Sequence, residues 1–266
     1  MTATQPRLRA MLSLSITAVF IVGLIASQWL LADSAQQMQF DARLAPPSLE
    51  HWLGTDALGR ELWARTLAGL ALSFWVGCLA ALLSTLIALS LAALATLSAR
   101  LDALVSLLID TLLSVPHLIL LMLIAFALGG GTQAVIIAVA VTHWPSLARC
   151  CAPNCGSCGK PPMYAFRERS ASRAGLYSTA TYFPICFPTA WWVPCCCSPT
   201  RFLHEAALTF LGFGLSPSQP AIGVLLAEAM RYLNGGYWWL GVFPGLGLLL
   251  MVLMFERLSS HLRRAL

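Results

Sequence analysis

From Thr66 to Ala99 the chain carries no charged residue, and shorter runs of the same character recur at Met11–Leu31, about Ala134–Leu147 and Tyr237–Phe255. A bilayer core is crossed by about 20 apolar residues wound as helix. Inside lipid a backbone finds hydrogen-bond partners only within a helix or a closed barrel. The composition agrees with lipid as solvent: 58% of residues are hydrophobic and 10% charged, where a soluble domain carries roughly 25% charged residues. The expected fold is therefore all-α and integral to the membrane, with about six transmembrane helices.

Read in order, residues 1–10 form a cytoplasmic N-terminus and 11–31 a first span. The basic start and apolar middle of that segment are shared with secretory signals. Its apolar stretch is long for one and Ser34-Ala35-Gln36 is a weak cleavage site, so a retained helix is expected. Residues 32–65 are polar and mixed, with Pro46-Pro47 and a Gly54-Thr55-Asp56 turn, and make an external, periplasmic segment. A core over 66–258 follows, with spans at 66–99, 104–128, 134–147, 185–213 and 237–255, an outer loop at 214–236 and a cytoplasmic tail at 259–266. The 66–99 run is longer than one crossing needs, which implies tilt or an extension beyond the bilayer.

The formal charge of +5 suggests a nucleic-acid partner only until its distribution is considered. The basic residues are spread over short loops and form no stripe on a soluble domain. They work as a topological signal instead. With the N-terminus inside, Arg7, Arg9, Arg100, Arg149, Lys160, Arg167, Arg169, Arg173, Arg257, Arg263 and Arg264 all fall on the cytoplasmic side. Asp33, Asp41, Glu50, Asp56 and Glu61 fall outside.

Three stretches carry a family resemblance. The external segment reads His51-Trp52-Leu53-Gly54-Thr55-Asp56-Ala57-Leu58-Gly59-Arg60-Glu61, followed by Ala64-Arg65 and Gly69. A second stretch reads Glu205-Ala206-Ala207-Leu208-Thr209-Phe210-Leu211-Gly212-Phe213-Gly214-Leu215, with Pro217 and Pro220 after it. A third, Phe243-Pro244-Gly245-Leu246, opens the last helix. In order and spacing these resemble the inner-membrane permeases of ABC importers for dipeptides, oligopeptides and nickel. The resemblance covers about residues 12–147 and 201–264. It implies a type I importer permease fold in the bacterial inner membrane with both termini cytoplasmic. It also implies a similar second permease, two cytoplasmic ATPase subunits and an external solute-binding protein as partners, with no cofactor in this chain. The residues point the same way, since no G-x-x-x-x-G-K-[ST] sequence is present to cradle nucleotide phosphates. A stand-alone secondary carrier is the alternative class, and it usually shows repeated interrupted helices or ionisable groups at mid-membrane.

No catalytic residue is assigned. Gly54, Thr55, Asp56, Gly59 and Arg60 read as a turn and cap that starts a helix, Asp56 accepting backbone N–H bonds and Gly59 allowing close packing. Direct contact with a binding protein is the other reading. Asp110 and Pro116 on the third span, with Glu205 on the fifth, are candidates for the translocation path or for packing, and Pro116 is expected to kink its helix. His117, His143 and His204 invite a metal reading because imidazole ligates nickel and zinc. Importers of this family select solute at the binding protein, and tight ligation in a pathway hinders release. No metal ligand is therefore assigned.

Residues 150–200 break the pattern. They hold eight of the nine cysteines and seven of the fifteen prolines. The resemblance implies a cytoplasmic coupling helix at this place, and none is legible within 150–200. Cys151, Cys155 and Cys158 have partly suitable spacing for zinc but lack a second equally spaced pair. A shifted reading frame accounts for more: Leu codons CTG-CTG read one base late give Cys-Cys, and Val codons GTG-GTG give Trp-Trp, as at Trp191-Trp192. Read one base earlier, Cys150–Pro161 is compatible with a coupling-like Leu, Arg and Glu sequence. Either a sequencing error or a real frameshift, leaving a non-functional remnant of a permease, produces such a stretch.

Overall fold

The computed structural model describes residues 4–31, 35–95, 97–150 and 199–265. Among them the chain is helical, with one isolated bridge between Thr55 and Glu61. The helices are α1 (Thr4–Leu30), α2 (Leu62–Ala95), α3 (Ala99–Ser114), α4 (His117–Ala127), α5 (Gly131–Cys150), α6 (199–210), α7 (Ile222–Tyr232) and α8 (Trp239–Ala265).

α2 is the mast of the bundle and packs against α1, α3, α5, α7 and α8. Its 34 residues span about 51 Å at 1.5 Å per residue, well beyond a hydrocarbon core of about 30 Å. Small residues set its close contacts. Val76 and Ala80 of α2 share a cluster with Val135, Ala138 and Val139 of α5. Further along, Ala88 and Ala95 share one with Trp144 and Leu147. α2 and α5 therefore run parallel, and the chain between them must cross back. α8 also runs with α2, since Trp239 sits near Leu62 and Phe255 near Phe74. α6 runs against them, because Gly214, just past its end, accepts a hydrogen bond from Gly131 N–H at 3.0 Å.

The outward faces remain apolar. Trp75, Leu79, Leu82 and Leu86 on α2, spaced at three and four residues, are all exposed, as are Leu246, Leu249, Leu250 and Leu253 on α8. Stripes of this size belong against lipid or another subunit, not water.

By length and apolar character, Leu62–Ala95 and Trp239–Ser260 are each sufficient to cross a bilayer. The segment expected as one span over 104–128 with a kink at Pro116 is made of two helices, α3 and α4, bent by 99° at the break between them. The cause is local. Pro116 has no N–H to donate and drives the residue before it out of the helical region, and Val115 is extended at φ −81, ψ 136. The Pro116 carbonyl accepts from Ile119 and Leu120 N–H as α4 starts. α5 runs on through Pro145 to Cys150, with Trp144 and Leu147 buried. The fifth expected span, 185–213, is described only in its second half, and the 150–200 stretch lies almost wholly outside the described residues. The outer loop expected over 214–236 contains a helix, α7, whose Ile222, Leu225 and Ala229 are buried against the bundle.

Candidate functional site

The Gly54–Arg60 segment folds around one carboxylate. Asp56 Oδ1 accepts from Leu58 N–H at 2.8 Å and Arg60 N–H at 2.9 Å, closing a turn ahead of α2. Its Oδ2 accepts from Arg60 Nε at 2.7 Å and from Arg65 Nη1 at 2.5 Å. Arg65 lies one turn into α2 and is 1% exposed; it also donates to Glu228 of α7, at 2.8 and 3.4 Å. Two acids and two guanidiniums thus form a tetrad of zero net charge. It joins the segment before α2, the first turn of α2 and the middle of α7.

The neighbouring residues fix the loop's path. Thr55 N–H donates to Ala45 O at 3.0 Å, and the Thr55 hydroxyl donates to Ala42 O while accepting from Ala45 N–H at 2.8 Å. Trp239 Nε1 at the head of α8 donates to Thr55 O at 3.4 Å. Gly54 and Gly59 have φ of +80° and +75°, which side chains on L-residues rarely adopt. A Cβ at Gly59 would also lie 1.8 Å from Gln39 O. These are geometric requirements of the turn. Asp56 is 3% exposed, and its carboxylate is occupied by four donors within the chain.

Glu205 is buried in α6 at 1% exposure. Its Oε1 accepts from Thr209 Oγ1 at 3.1 Å, and Thr209 Oγ1 in turn accepts from Leu215 N–H at 3.3 Å. The acid therefore braces the end of α6 and the turn beyond it. Asp110, by contrast, is exposed on α3, and the break at Pro116 removes it from the axis of α4.

The three histidines, remote in sequence, come together. His117 opens α4, His143 lies on α5 and His204 on α6. One ring nitrogen of each lies within 4.8 Å of the other two.

Of the tetrad, the sequence marks Arg65 only as part of the resemblance and gives Glu228 no role. Arg65 was legible in principle, because a charge at the threshold of a charge-free helix needs a partner. Glu228 was hidden in an apparent loop, although Ile222, Leu225, Leu226 and Ala229 have helical spacing.

A bundle of apolar-faced helices, with a charged segment before α2 locked into it, defines a multi-helix integral membrane protein. Comparison with known proteins carries this further. The di/tripeptide transport system permease protein DppC of Pseudomonas aeruginosa is 31% identical over 254 residues, covering 88% of this chain and 79% of that protein. A putative peptide transport system permease protein of Brucella suis is 27% identical over 262 residues, covering 95% of this chain and 85% of its own. The nickel transport system permease protein NikC of Escherichia coli is 28% identical over 267 aligned positions, covering 95% and 91%. No family model matches the chain. The chain belongs to the permease family of ABC importers for peptides, dipeptides and nickel.

Proposed function

We propose that this chain is the permease subunit of an ATP-driven importer and supplies half of a translocation path for peptides or metal chelates. Its partners are a similar second permease, two cytoplasmic ATPase subunits and an external binding protein. The membrane is the bacterial inner membrane, with both termini cytoplasmic. The observation that carries the reading is the 31% identity to a di/tripeptide permease across 88% of the chain. The parallel course of α2, α5 and α8, with α6 opposed, supports the alternating topology. The exposed apolar stripe on α2 suits lipid or a second subunit.

Uptake of a labelled dipeptide or nickel chelate into cells is expected to fall when the chain is deleted. It is also expected to fall when ATP is depleted while the proton gradient is kept. A tagged chain should co-purify with ATPase subunits. Uptake that survives ATP depletion and follows the proton gradient would establish a stand-alone carrier instead.

The 150–200 stretch is proposed to be an out-of-frame translation of the coupling region and of the first half of the fifth span. Resequencing the gene is expected to reveal two compensating insertions or deletions, near codons 150 and 200. An intact frame whose shifted translation lacks coupling character would dispose of this explanation.

A further inference from the structure

Polar groups inside a membrane-spanning bundle are costly and usually functional, and the three histidines on α4, α5 and α6 lie outside the tetrad of Asp56, Arg60, Arg65 and Glu228. Their ring centroids lie 4.5, 4.6 and 5.0 Å apart. His143 is buried and the other two are half-buried. By helical rise, His143 lies about 18 Å along α5 from Gly131, deep within the bundle.

One pair of ring nitrogens stands at ligand spacing, and all three lie within 4.8 Å of one another. His143 Nδ1 lies 2.9 Å from Val139 O, and a carbonyl only accepts, so Nδ1 carries the proton. Nε2 is left with its lone pair, held in place by a backbone carbonyl as metal-binding imidazoles usually are. That Nε2 is 3.2 Å from His204 Nδ1. Two nitrogens bound to one tetrahedral ion at about 2.05 Å would lie roughly 3.3 Å apart. A hydrogen bond between His143 and His204 would account for that pair alone. It leaves His117 Nε2 buried without a hydrogen-bond partner in the same cluster, and a shared ion satisfies all three.

We propose that His117, His143 and His204 bind one divalent transition-metal ion. At least one coordination position stays open on the side where His117 and His204 are partly exposed. An all-imidazole set favours zinc, nickel or cobalt over calcium and magnesium, which require oxygen ligands. Arg201, one turn before His204 and fully buried, adds positive charge to this region. That favours an ion arriving with an anionic ligand over a bare dication. The inference concerns binding and stands whichever solute the chain conducts.

The test uses the full-length chain, purified in detergent through a histidine-free tag, stripped with chelator and titrated with Co2+ in acetate buffer. One Co2+ per chain is expected, with visible absorption of a nitrogen-ligated tetrahedral or five-coordinate site. His117→Ala, His143→Ala and His204→Ala should each weaken binding about 10-fold or more, while His261→Ala leaves it unchanged. Variants count only if elution volume and helical circular dichroism match the parent. Co2+ should also protect the parent's histidines from acylation by diethyl pyrocarbonate, a readout that needs no substitution. Absence of the visible band and of protection in folded protein would overturn the proposal. So would thiolate charge-transfer bands that persist in the histidine variants, since they would place the ion on cysteine.

Discussion

Asp56→Ala is expected to strip the protein from the membrane instead of leaving it folded and inactive. The substitution removes the acceptor for two backbone N–H groups and two guanidinium groups at once. Arg65, 1% exposed, is left with Glu228 alone. Deleting one partner of a buried ion pair costs about 3–5 kcal/mol, because the remaining charge stays desolvated. That is comparable with the whole margin of many folded domains, about 5–15 kcal/mol. Membrane abundance should drop several-fold, and the apparent Tm in detergent should fall with it. Asp56→Asn keeps a backbone acceptor at the turn and should lose less. Normal abundance and Tm with uptake abolished would mean that the segment acts by touching another protein.

The tetrad also shows which parts of the molecule the sequence could express. Helices with continuous apolar character, α2 and α8, were legible because lipid imposes the same demand on every residue along them. The turn at Gly54–Arg60 was legible as a turn, since glycine and aspartate have few other uses in such a cluster. Its ionic partners were not, because Arg65 and Glu228 meet only after the chain has crossed the bundle several times. In the third span the kink at Pro116 is legible, but its size is not, for a related reason. Hydropathy is blind to direction, so a run carrying Pro116 reads as one segment whether it is straight or bent by 99°. The histidines illustrate the same limit. Residue type alone marks the three as metal candidates, and only the packing of α4, α5 and α6 brings them within 4.8 Å of one another.

α7 is the element through which the tetrad reaches the core, and its seating on α6 depends on Gly223. A Cβ there would lie 2.5 Å from Ala206 O, 2.6 Å from Thr209 Cβ and 2.9 Å from Phe210 N. Two of these are backbone atoms, which cannot rotate away, so any side chain must push the two helices apart. Gly223→Val is therefore expected to cost at least about 3 kcal/mol, the upper end for overpacking. It would disturb Thr209, which braces Glu205, and Glu228 on the same helix, which holds Arg65. Gly241→Ala is the control: its Cβ would meet only Ala229 Cβ at 3.5 Å, an ordinary contact, and alanine favours a helix over glycine by about 0.5–1 kcal/mol. That variant should match or exceed the parent in detergent Tm. If Gly223→Val melts with the parent, α7 is not clamped to α6. The segment before α2 would then be tied only to α2 and, through Trp239 and Thr55, to α8, with no packed route through α7 from Asp56 to the buried Glu205 on α6.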